Sequence, residues 1–159
     1  YSRGRAGYRI GKQEGLFEFV LRSVGDEWLA ELTLVTKNKT GYDAIAAALD
    51  AHIQFCEDAP KHVEAFYRLW FEALTPESKL KPVILGIHKR RRADVIRWIE
   101  QGVGEGSVAG TIDVELVADH FTASVSGIVY HWMSDPDNLD EMRSLHKGLK
   151  QVVGAMLAR

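Results

Sequence analysis

Hydrophobic side chains recur at steps of three and four along most of this chain, and that period restricts it to helices. From Gln13 the stripe is Phe17, Val20, Leu21, Val24, Trp28, Leu32 and Val35, a helix of five or six turns. After the polar break 37–41, a second helix carries Ile45, Leu49, His52, Ile53 and Cys56 and stops at Asp58-Ala59-Pro60. Pro60 suits the first turn of a third helix, with Val63, Phe66, Tyr67, Trp70, Phe71 and Leu74 on one side. A fourth runs from about Leu80 to Gln101, with Val83, Ile84, Ile87, Val95, Trp98 and Ile99 inward, and ends in the glycine-rich stretch 102–110. Thr111 reads as the N-cap of a fifth helix lasting to about Met133, and a sixth starts near Asn138. No stretch alternates as a strand would. The fold class is all-α, a multi-helix bundle.

The 159 residues suffice for one domain. A hydrophobic fraction of 46% with 26% charged residues excludes a disordered or collagen-like chain. No apolar run approaches the ~18 residues of a membrane span, and no secretory leader opens the sequence. The lone Cys56 has no internal disulfide partner and fits a reducing, cytoplasmic setting. The net charge of −2 gives no sign of nucleic acid, but it is unevenly distributed. Residues 1–13 carry Arg3, Arg5, Arg9 and Lys12 and no acid, whereas the other 146 residues hold 16 basic and 22 acidic side chains.

The last two helices are too apolar for a monomer surface. In the fifth, Leu116, Val117, Phe121, Val125, Ile128, Val129 and Trp132 form a broad face, and Ala118, Ala123, Gly127 and Tyr130 leave little polar surface elsewhere. The sixth has Leu139, Met142, Leu145, Leu149, Val152, Val153 and Met156 at coiled-coil spacing. These faces suit either ordinary core within one chain or a homodimer through a four-helix bundle, two helices per subunit, using Val125, Ile128, Trp132, Leu145, Leu149, Val152, Val153 and Met156; the resemblance given next makes the homodimer the expectation.

The first sixteen residues, from Tyr1-Ser2-Arg3-Gly4-Arg5 through Tyr8-Arg9-Ile10-Gly11-Lys12 to Glu14 and Leu16, follow a pattern of their own. The segment resembles the junction between the recognition helix and the first core helix in tetracycline-repressor (TetR) family regulators. Ser2 stands at the family's recognition-helix N-cap, Arg3-Gly4 at its basic residue and glycine, and Tyr8-Arg9-Ile10-Gly11 where it carries an aromatic or histidine pair, a phenylalanine and a glycine hinge. Ala6, Gly7 and Gln13 depart from the family pattern. The resemblance implies a remnant of a helix-turn-helix over residues 1–11 and an effector-binding and dimerisation domain over 12–159. It implies that the chain begins inside the DNA-binding domain and that only the full-length protein binds operator DNA. The residues facing DNA would then be Ser2, Arg3, Arg5, Tyr8, Arg9 and Lys12, with arginine reading guanine, Tyr8 and Lys12 reaching phosphates, and Ser2 starting the helix whose free N–H groups meet the DNA. Gly11 is the expected hinge.

Other candidate chemistry is sparse. Lys89-Arg90-Arg91-Arg92 spreads around a helix and reads as a solvated face, with Asp94 and Glu100 compensating. His120 and His131 are three turns apart, about 16 Å, and cannot share an ion. No histidine pair has metal-ligand spacing, and no cofactor is expected. His52 and Cys56 lie one turn apart, but a thiol on an apolar stripe is core filler more often than a nucleophile. No serine elbow, phosphate loop or paired-carboxylate motif appears, so no enzyme is expected.

What remains is an aromatic-rich interior with a few polar groups, the composition of a small-molecule pocket as well as of a core. The family binds inducers between these helices, which implies a site at His52, Cys56, Phe66, Trp70, His88, Phe121 and Ser124 for an apolar or aromatic effector. The reading is a one-component bacterial transcriptional regulator, a repressor, whose ligand shifts the spacing of two recognition helices that must meet half-sites about 34 Å apart. The rival is a helical protein–protein adaptor without a small-molecule ligand, a monomer until its partner binds.

Overall fold

The computed structural model describes residues 3–158, with side chains from Lys12 to Ala158. It contains six helices: α1 (Arg3–Val35), α2 (Gly41–Asp58), α3 (Pro60–Glu72), α4 (Lys81–Glu105), α5 (Val114–Ser134) and α6 (Leu139–Leu157). No strand occurs among the described residues. Four helices form a closed ring of packed pairs, α2 on α4, α4 on α5, α5 on α6 and α6 on α2. The first helix packs across α2, α3 and α4, and α3 also rests on α2. The stripes read from the sequence fill the interior. Leu21, Ile45, Leu49, Val63, Ile84, Ile99, Val129 and Val153 are all essentially sealed from solvent.

Three boundaries differ from expectation. The helix α1 runs unbroken through Gly11, where a hinge between a short recognition helix and the long helix was expected. Each glycine costs a helix about 1 kcal/mol, and Gly4, Gly7, Gly11 and Gly15 all lie within α1 without breaking it. The fifth helix is capped by Asp113, whose carboxylate accepts from Leu116 N–H at 3.0 Å, and Thr111 lies upstream of it. An aspartate caps as well as threonine and adds a charge favourable to the helix dipole. The fourth helix continues past Gln101 to Glu105 and closes on Gly106 at φ 78°.

The stop at Gly106 turns the chain back over a close helix crossing. A Cβ on Gly102 would lie 2.6 Å from Val108 Cγ2 and 2.9 Å from the Cα of Gly41, so glycine lets the start of α2 touch the end of α4. Gly41 itself sits at φ 52°, a left-handed conformation that favours glycine. This contact fixes the lower end of the ring, and the cleft described next opens along the same α2–α4 seam.

Candidate functional site

Where α1, α2, α4 and α5 meet, a cleft is lined by Trp28 and Leu32, by Ala48, Leu49 and His52, by Arg91, Asp94, Val95 and Trp98, and by Phe121, Thr122 and Val125. Its free volume is about 30 Å³, enough for roughly two waters. A smaller void beside it is lined by Tyr67, Trp70, Phe71, Arg91, Val125, Ser126 and Val129. Arg91 and Val125 belong to both walls, so the two spaces are neighbours divided by those side chains. Two larger clefts, of about 370 and 360 Å³, are open grooves lined by polar and apolar groups in similar measure. The aromatic cleft is the one with the apolar walls and few polar groups of a small-molecule site.

Behind the cleft runs a buried polar chain. His52 Nε2 lies 2.8 Å from the Tyr67 hydroxyl, His52 Nδ1 lies 2.8 Å from His146 Nε2, and His146 Nδ1 lies 2.8 Å from the Met142 carbonyl. The carbonyl only accepts, which fixes every proton when both rings are neutral. His146 donates from Nδ1, so its Nε2 accepts; His52 then donates from Nδ1, and its Nε2 accepts the Tyr67 O–H. Burial holds the His52 imidazole well below the ordinary histidine range, and the neighbouring His146 and Arg91 add to the effect. Burial lowers His146 as well, against the opposing pull of the Met142 carbonyl. The phenol of Tyr67 is pushed up, again mainly by burial. All three groups are therefore neutral near pH 7, as the proton order requires.

The fourth helix explains the basic run. Arg92 reaches α5, with Nε 2.5 Å from Asp119 Oδ1 and a longer contact of 3.5 Å to Glu115. Arg97 holds Asp94 at 2.7 Å. Arg90 and Lys89 are exposed, whereas Arg91 is half-buried against the cleft. The run is thus not a uniformly solvated face. Its third member turns inward, and Asp94 pairs with Arg97 instead of compensating it.

The expected ligand residues fall into four groups. His52 and Phe121 line the cleft, and Trp70 lines the smaller void. Phe66 and Cys56 are packed in the core. The Cys56 thiol is pushed up to about 12 by burial and by Glu57, so it is protonated at neutral pH, and both nitrogens of His52 are engaged elsewhere. His88 is half-buried and packs edge-on against Trp70, with ring centres 5.0 Å apart. Ser124 is exposed and donates to the His120 carbonyl, so it faces away from the interior. Sequence reasoning missed Trp28, Arg91, Thr122 and His146. The spacing Met142, His146, Leu149, Val153 was a usable signal for the last, since it places a histidine on an apolar stripe.

Five of the eight residues expected at a dimer interface are used inside a single chain. Val125, Ile128, Trp132, Leu149 and Val153 are buried, and the Trp132 indole N–H donates to the Pro136 carbonyl at 2.9 Å. Hydrophobicity alone does not distinguish a core stripe from an interface stripe. Leu145 is half-buried, and Val152 and Met156 are 55% and 39% exposed. On α6, Arg143 and Lys150 reach Glu57 and Asp50 of α2, so Leu145, Gly148, Val152 and Met156 lie on the opposite flank. On α5, Glu115 and Asp119 face α4, and the exposed outer side carries His120, Ala123, Ser124, Gly127 and His131.

Of the expected DNA-facing residues, Ser2 lies outside the described residues. Arg3, Arg5, Tyr8 and Arg9 lie on the backbone of α1, and their side chains lie outside the described ones; Lys12 is exposed on the same helix. Among the described residues no group of three His, Cys, Asp or Glu side chains gathers as a metal site would. No helix among them is long and apolar enough to cross a membrane. No protein-family model, curated protein or solved structure matches the chain.

Proposed function

We propose that this chain is the effector-binding and dimerisation part of a one-component transcriptional regulator of the TetR type, with the aromatic cleft as its small-molecule site. The observation that carries the reading is that α1 supplies both a wall of the cleft and the basic N-terminal segment. Trp28 and Leu32 face the cleft, and the same helix extends unbroken back to Arg3, about 37 Å at 1.5 Å per residue. A molecule entering a space of about 30 Å³ must part α4 from α1 and α5. The polar pairs joining α4 to α5 are exposed Arg92 contacts, weak and screened by solvent, so the cost of that movement lies in the apolar packing of Val95 and Trp98 against Phe121 and Val125, which an apolar guest would replace. Displacing α1 near Trp28 then tilts its far end, and in a symmetric dimer two such ends set the spacing of the DNA-reading heads.

The dimer face in this reading is the outer α5–α6 surface, with Gly127 and Gly148 as the points of closest approach and Val152 and Met156 as apolar contacts. Cβ atoms at both glycines would meet nothing within 4 Å in the single chain, which leaves room for a second copy. Native mass spectrometry of the purified chain tests the proposal. A homodimer of twice 17.8 kDa is expected. A strictly monomeric chain at tens of micromolar would contradict the regulator and favour the adaptor.

A further inference from the structure

Arg91 is half-buried, and among the described residues it makes neither an ion pair nor a hydrogen bond. Its neighbours on α4 differ, since Arg92 holds Asp119 and Arg97 holds Asp94. The side chain of Arg91 stands between the aromatic cleft and the smaller void, and its charge is felt by His52, Tyr67 and His88 around them. The other hydrogens facing these spaces are largely committed. Thr122 donates to the Ala118 carbonyl at 2.9 Å and Ser126 to the Thr122 carbonyl at 3.2 Å, while Tyr67 and His52 are used in the buried chain. The indole N–H groups of Trp28 and Trp98 find no acceptor among the described residues. What the cleft offers a guest is therefore the Arg91 cation set among aromatic walls, with the Asp94 carboxylate on the same wall already paired to Arg97.

We propose that the cleft takes a small monocarboxylate with an aromatic or aliphatic body, the carboxylate held by Arg91 and the body by Trp28, Trp98 and Phe121. This deepens the reading of the cleft as an effector site and rests on it. The planar guanidinium fork matches a carboxylate through two parallel hydrogen bonds. A dianionic phosphate fits less well, because Arg91 is a single charge and Asp94 shares the wall. The waiting arginine carries the selectivity, since a neutral isostere leaves it unpaired in a partly desolvated site.

The test uses two panels of probes, 3-phenylpropanoate, 2-naphthoate and octanoate, and the corresponding neutral amides. Binding to the purified chain is followed by tryptophan fluorescence and calorimetry. At least one acid should bind the unaltered chain tenfold or more tightly than its amide. Arg91→Gln should remove that preference, while Arg90→Gln on the exposed side of α4 keeps it. Arg91→Gln breaks no hydrogen bond, and the acid–amide comparison on the unaltered chain stands even if the variant folds poorly. Acids and amides binding alike, with Arg91→Gln indifferent, would overturn the carboxylate preference and leave the cleft as a site for neutral molecules. Failure of both panels to bind at millimolar concentration would overturn the cleft as a ligand site altogether, and the preference with it.

Discussion

His52 Nδ1 lies 2.8 Å from His146 Nε2, joining α2 to α6 through two imidazoles sealed from solvent. Because the Met142 carbonyl accepts at the far end, the direction of every hydrogen bond back to Tyr67 is determined, and both rings carry their proton on Nδ1. This polar chain spans α3, α2 and α6 behind the cleft, so it acts as an internal strut against which the cleft walls are packed.

Tyr67→Phe removes the donor to His52 Nε2 and leaves a buried acceptor unsatisfied. A loss of about 1–3 kcal/mol is expected, read from chemical denaturation. Histidine side-chain nitrogen spectra should show two rings in the Nδ1–H form in the native chain. A loss near zero, or both rings protonated on Nε2, would contradict the assigned order.

The same strut makes stability depend on pH. The folded-state values of His52 and His146 are lowered, so below the ordinary histidine value near 6.5 the unfolded chain binds protons that the folded chain refuses. The stabilisation is complete above that pH and is lost progressively as pH falls, by up to about 1.4 kcal/mol per pH unit for each ring. Melting temperature should hold between pH 7.5 and about 6.5 and then fall progressively to pH 5.0. A flat profile over that range would show that neither ring is held neutral.

Gly102→Ala places a methyl against Val108 and the backbone of Gly41, and backbone cannot rotate away as a side chain can. A destabilisation of about 1–3 kcal/mol is expected despite the better helix propensity of alanine. Gly104→Ala, whose Cβ meets nothing, serves as the control and should be neutral or slightly stabilising by thermal melt.

Gly127→Arg separates an interface from a core. The position is open in the single chain, so the variant should keep its helical signal and melting cooperativity while losing the dimer in sedimentation. A dimer that survives both Gly127→Arg and Val152→Glu would place the contact elsewhere.

The helices were legible because a period of 3.6 with caps and prolines is local information. Pro60, Asn138 and the break before α2 stand where the sequence puts them, and Asn138 does cap α6. Local signals failed where two were close together, as with Thr111 and Asp113, or where a weak helix breaker lay inside a continuous helix, as at Gly11. The cleft was only partly legible. His52 stood out as a polar group on an apolar stripe, but Arg91 lay within four consecutive basic residues. Which of the four turns inward depends on the rotation of α4 against α2 and α5, a tertiary property. Five of the eight expected interface residues are buried for a related reason, since a closed ring of four helices absorbs most of the apolar surface of α5 and α6 within one chain.

Amide hydrogen exchange with and without a bound carboxylate probe tests most directly whether the cleft and α1 form one device. The account predicts slowed exchange in α1 around Trp28 and Leu32, together with α4 around Arg91–Trp98 and α5 around Phe121–Val125, under saturating 3-phenylpropanoate or the tightest acid of the panel. Protection confined to the surface grooves, or binding that leaves α1 unchanged, would contradict it.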